Sequence, residues 1–168
     1  MVGSTVFAPS NEAWSRLGPR ANAFLFNTET GKKYLRALLK YQIVPNITLY
    51  SDEVYYGDEK QTSKKLFGHG DDFHIELPTL LERSVGVDVH TFKSWTTIVL
   101  NGHVVVGFND AVGKNGVIHV PRTIPIPPHR KGEHPDSVDG EISVEELKER
   151  LQDYVEDDDE LDWKDSEL

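Results

Sequence analysis

Seven histidines are the side chains here best suited to chemistry, because imidazole changes charge near neutral pH and is the commonest metal ligand. Their spacing argues against a metal centre. His69 and His74 are five apart, and His129 and His134 flank a polar stretch, so neither pair has the i, i+4 helical spacing of a zinc site or a third ligand nearby. His103 and His119 cannot be assigned to one face by sequence. The chain contains no cysteine, which removes thiolate ligands and disulfides.

Covalent catalysis has no better footing. There is no G-x-S-x-G elbow, and Ser10 reads as a helix cap. Gly113-Lys114-Asn115-Gly116 lacks both the Walker spacing and the hydroxyl residue after lysine, so it reads as a turn. Carboxylates crowd only near the C-terminus, where water keeps them ionised and unpositioned for acid–base work. No catalytic, cofactor-binding or metal-ligating residue is therefore assigned, and no cofactor is expected.

The elements that would position any site are short. Residues 97–100 and 103–108 are β-branched apolar runs separated by Asn101-Gly102, a dipeptide suited to the positive φ angles of a tight hairpin. A third run at 117–120 stops at Pro121, and Pro125, Pro127 and Pro128 forbid further pairing. Residues 73–77 and 85–90 alternate apolar and polar side chains as half-buried strands do, and short strands are also expected at 54–56 and 66–67. Upstream, residues 5–8 read as a strand, 10–17 and 21–25 as short helices, and 28–44 as the strongest helix. Tyr34, Leu38 and Tyr41 recur on one face of that helix, and Pro45 ends it.

Charge is unevenly spread over the 168 residues, whose net is −10. From residue 133 onward, 16 acidic residues face Lys148, Arg150 and Lys164, a net of −13, leaving +3 for residues 1–132. Neither part offers the basic footprint of a nucleic-acid binder. No apolar run approaches the ~18 residues of a membrane span, so direct membrane insertion is not expected. Ser143 with Glu146 forms a capping box ahead of Leu147, Leu151 and Tyr154, an amphipathic helix too short to hold alone. Its stripe needs a partner, on this domain or on another protein.

Three segments carry a family resemblance. Thr5-Val6-Phe7-Ala8-Pro9-Ser10-Asn11-Glu12-Ala13-Trp14 is similar to the first conserved box of the fasciclin (FAS1) domain. Leu38 through Pro45 resembles the segment around the family's Tyr-His pair, and Asn115-Gly116-Val117-Ile118-His119 through Pro127-Pro128 resembles its last box. The resemblance implies an α+β fold, mostly antiparallel sheets in a wedge or sandwich with N-terminal helices packed on them. It marks Phe7, Pro9, Asn11, Asn115, Gly116 and His119 as structural, with His119 a packed, hydrogen-bonded support rather than a catalyst. About two helices normally precede the first box, so the domain at 1–128 is expected to be N-terminally incomplete, through fragmentation, trimming or a missing upstream exon. A linker at 129–140, an amphipathic helix at 141–156 and an acidic disordered tail at 157–168 follow.

The family implies a non-catalytic adhesion or interaction module with a protein or glycan partner. It resembles fungal members of the secretory pathway, extracellular, cell-surface or vacuolar. Tyr41-Gln42 stands where the family places its receptor-linked Tyr-His pair, retaining only the tyrosine. With Trp95, Leu147 and Leu151 these form the expected exposed interaction residues, and Asn46 of Asn46-Ile47-Thr48 is the candidate N-glycosylation site. The alternative is a small-ligand carrier or lyase-like enzyme with a pocket lined by Trp14, Tyr34 or Phe108.

Overall fold

The computed structural model describes residues 3–51, 70–129 and 141–156. The strands expected at 54–56 and 66–67, most of the linker and the acidic tail lie outside the described residues. The element order is β1 (Ser4–Phe7), α1 (Asn11–Arg16), α2 (Pro19–Asn27), α3 (Glu29–Tyr41), β2 (Ile43–Val44), β3 (Gly70–Pro78), β4 (Ser84–Phe92), β5 (Trp95–Leu100), β6 (Val104–Gly113), β7 (Gly116–Pro121) and α4 (Val144–Glu156).

The strands form one mixed sheet in the order β2-β1-β7-β6-β5-β4-β3. All pairings are antiparallel except β1 with β7, which sets Ser4 beside Gly116 and Phe7 beside His119. The first and last family-like boxes are thus neighbours in space. Gly116 permits this approach, since a Cβ there would lie 2.1 Å from the Ser4 carbonyl oxygen. Between β5 and β6 only Val99–Val105 and Leu100–Val104 are in register, so the Trp95 end of β5 pairs with β4 alone. The α+β, mostly antiparallel expectation holds.

Local signals set most elements. The Ser10 hydroxyl accepts from Ala13 N–H at 3.2 Å and starts α1. Asn101 and Gly102 take φ of 51° and 76°, the primed turn that matches strand twist. Thr28 caps α3 by accepting from Gly31 N–H at 2.8 Å, and Gly31 lets α3 touch α2, where a Cβ would collide with the Phe24 carbonyl. The third helix is shorter than the 28–44 expected. Ile43 and Val44 leave it to pair with Val6 and Thr5, because an edge next to β1 satisfies their backbone groups in sheet form.

Helix α4 packs on α3 and α2. Ser143 caps it, accepting from Glu146 N–H at 3.1 Å, and Ile142, Leu147, Leu151 and Val155 join the same core as Phe7, Leu25, Leu38, Tyr41 and Val87. Lys148 Nζ sits 4.8 Å from the Phe24 ring centroid. The stripe that needed a partner finds it on the body of this chain.

Candidate functional site

Four of the five residues expected to be exposed for interaction are not. Tyr41 is 0% exposed, Gln42 3%, and Leu147 and Leu151 0%. A helix stripe reports which side chains share a face and not how deeply that face is covered, and α4 covers this one. The Tyr41 hydroxyl accepts from Asn101 Nδ2 at 3.0 Å and donates toward the Ser84 carbonyl at 3.3 Å. Burial pushes this hydroxyl's pKa up, against the Asn101 hydrogen bond. Trp95 differs: it is 78% exposed, directly opposite Phe92, itself 56% exposed, across the turn at Lys93 and Ser94. Lys93 Nζ lies 5.3 Å from the Phe92 ring centroid.

The box residues stitch the sheet to the loop after β2. His119 is fully buried and stacks on Phe7 with ring centroids 5.7 Å apart. Its Nε2–H donates to the Leu49 carbonyl at 2.7 Å, and its Nδ1 accepts from Asp110 N–H at 3.3 Å, which fixes the neutral tautomer. Burial holds its pKa below 6.5. Asp110 sits at φ 58° in the irregular part of β6, and its carboxylate accepts from the Ser51 amide at 3.0 Å and from the Ser51 hydroxyl. Thr5 Oγ1 adds a second tie, donating to Ile47 O and accepting from Leu49 N–H, both at 2.9 Å. Asn46 is exposed in the preceding turn with φ 62°.

Sequence reasoning missed a polar cleft of ≈ 670 Å³ lined by His74, Glu76, Arg83, Asp88, Gly86 and Asn101, among others. Its floor is the buried Gly86, where a Cβ would meet Glu76 Oε1 at 3.2 Å and His74 Cε1 at 3.4 Å. Asn101 clamps that floor, its Oδ1 accepting from Gly86 N–H at 3.2 Å while its own N–H donates to Gly86 O at 2.8 Å. Tyr41 braces Asn101 from below. Register places His74 opposite Asp88, and His74 Nδ1 lies 2.6 Å from Asp88 Oδ1 with Nε2 3.4 Å from Glu76 Oε1. The hydrogen bond to Asp88 holds the His74 pKa above 6.5 despite partial desolvation. The alternation of 73–77 hinted at this wet face; which strand would lie opposite it was not written locally.

This His–carboxylate pair is not a triad. Ser84 pairs with Pro78, four residues along β3 from His74 and so roughly 13 Å away at strand rise, which puts its hydroxyl out of reach of the imidazole. Among the described residues no group of three or more His, Asp or Glu could hold a metal ion. Trp14, Tyr34 and Phe108 do not converge either. Trp14 packs edge-on to Phe26, Tyr34 is buried against Phe24, and Phe108 is exposed beside Arg122 in a separate cleft of ≈ 270 Å³. No described helix is long and apolar enough to cross a membrane.

Comparison with known proteins agrees with this architecture. The Fasciclin domain model matches residues 2–124. Aurofusarin biosynthesis cluster protein S of Gibberella zeae is 36% identical over 140 residues, covering 76% of this chain and 34% of that protein, so the chain spans about a third of its relative's length. The FAS1 domain pair of the insect cell adhesion molecule fasciclin I shares the fold, with TM-score 0.52 and 21% identity over 74% of this chain and 37% of that one. By the extent of the domain match, the chain belongs to the fasciclin domain family.

Proposed function

We propose that this chain is a non-catalytic, adhesion-type interaction module of a secreted, cell-surface or vacuolar membrane-associated protein, engaging protein or glycan partners through the Phe92–Trp95 hairpin tip. Fasciclin domains generally serve adhesion or interaction. The observation that carries the reading is the exposed aromatic pair on a strand end that lies outside the β5–β6 ladder. Tryptophan is among the residues that anchor interface hot spots, and a rigid aromatic pair orders at low entropic cost. In the secretory pathway the exposed Asn46 would carry a glycan without touching the core.

The test is aggregation of beads coated with the full chain, alone and mixed with beads bearing cell-wall polysaccharides or extracted surface proteins. Clustering should occur with at least one of these and should be abolished in Trp95→Ala/Phe92→Ala. Absence of clustering with every surface, or equal clustering by the variant, would sink the reading.

A further inference from the structure

Strand β6 begins with Val104 and Val106 turned to the core, 1% and 6% exposed, and unbroken period-two alternation would bury Phe108 beside them. The register breaks first. Val106 pairs with Pro121 and Phe108 with Val120, so β6 advances two residues against one of β7 and Gly107 is the extra one. This bulge turns Phe108 to the outer face of the sheet, where it is 61% exposed. Arg122 lies along the same kink. Its backbone N–H donates to Val105 O at 2.9 Å, and its side chain fills the space over Gly107, where a Cβ would meet Arg122 Cγ at 3.0 Å and Nε at 3.3 Å.

Phe108 and Arg122 share their cleft of ≈ 270 Å³ with Ser10, Glu12 and Arg16 at α1. Glu12 and Arg16 neutralise each other at 2.7 Å. The Arg122 guanidinium makes no ion pair or hydrogen bond among the described residues, and the Phe108 ring has no aromatic or cation–π partner among them. The cleft therefore presents a free ring face beside one uncompensated positive charge.

We propose that this cleft binds a uronate residue of an acidic glycan, with Arg122 on the carboxylate and Phe108 under the sugar ring. A guanidinium fork matches a carboxylate bidentately. The electron-rich face of the phenyl ring suits the C–H face of a pyranose. Ser10 accepts from Ala13 N–H and keeps its own hydroxyl proton, while the Glu12–Arg16 pair sets an acceptor beside donors, the mixture that vicinal sugar hydroxyls require. The volume is below the roughly 300–1,000 Å³ of sites that engulf a small molecule, so it suits one unit of a longer chain passing across it. All of these residues belong to the part of the chain, 1–132, that carries 15 basic residues against 12 acidic ones. The inference names a glycan chemistry within the interaction reading, but neither Phe92 nor Trp95 lines the cleft.

Titration of the nitrogen-15-labelled full chain with trigalacturonate, followed by NMR, tests it. The amides of Gly107, Phe108 and Arg122 should shift together. Arg122→Gln should weaken binding about fivefold, the scale of one partly exposed charge contact, and Phe108→Ala by about the same factor. Both side chains are exposed, so amide dispersion should be retained. The methyl ester of the trisaccharide, which lacks the charge, should bind wild type about fivefold more weakly than the acid and be indifferent to Arg122→Gln. Arg20→Gln removes the same charge from an exposed position outside the cleft and should change binding less than about twofold. No shifts, shifts confined to other amides, equal binding of acid and ester, or equal weakening by Arg20→Gln and Arg122→Gln would each overturn the proposal. Equal or stronger shifts with phenylacetate or triglutamate would also overturn it, assigning the cleft to aromatic acids or acidic peptides. These resonances report the Arg122 cleft, so none of those results decides the bead assay on Trp95.

Discussion

His119 Nε2 and the Leu49 carbonyl oxygen are 2.7 Å apart, joining β7 to a loop 70 residues earlier with a neutral imidazole as the link. Protonating that ring would charge Nδ1, which accepts from Asp110 N–H, inside the core.

Stability should therefore fall on acidification through His119. Its folded-state pKa is lowered from 6.5, so above that value both states are neutral and the contribution is complete. Below 6.5 the unfolded chain takes up a proton that the folded one resists, and stability declines toward the folded pKa. Thermal melts of His119→Gln, which keeps a donor, should be less steep with pH between 8 and 5 than wild type. Parallel slopes would refute this.

His74 has the opposite sign. Its raised pKa adds stability that is complete below 6.5 and fades as pH rises through the folded value. Because the ring is partly exposed, the effect is small. Imidazole resonances followed by NMR should show His74 titrating above 6.5 and His119 below it; the reverse order would contradict both assignments.

Removing the Tyr41 hydroxyl takes one partner from the half-buried Asn101 Nδ2, which keeps only the Ile126 carbonyl at 3.4 Å, and one from the Ser84 carbonyl. Tyr41→Phe should cost about 1–3 kcal/mol in urea denaturation. Since the residue is internal, any loss of binding in Tyr41→Ala should track loss of folded protein; a fully stable Tyr41→Ala that fails to bind would show otherwise.

Leu147 on α4 is fully buried against α2 and α3. Leu147→Ala should destabilise by about 2–5 kcal/mol, whereas Trp95→Ala, at an exposed position, should stay within about 0.5 kcal/mol. An unchanged midpoint for Leu147→Ala would mean that α4 does not dock in solution.

Short-range chemistry was readable in advance. Asn101-Gly102 writes its own hairpin, Ser10 and Ser143 write their own caps, and alternation at 73–77 and 85–90 writes strands, because each depends on neighbours a few residues away. The parallel pairing of β1 with β7 was not legible in either family-like box, because it joins segments more than a hundred residues apart. The linear chain could not say that Tyr41 and Leu147 face each other's helices, since a stripe records direction and not depth.

What the sequence by itself determined is most of the described elements, with β2 the exception, the fold family and the absence of a nucleophile motif or cysteine, all properties of local pattern and composition. Tertiary structure alone decided that α4 closes over α3, that His119 holds Leu49, and that His74, Glu76 and Asn101 converge over Gly86. These groups lie on segments far apart along the chain, and only strand register and helix packing bring them within hydrogen-bonding range.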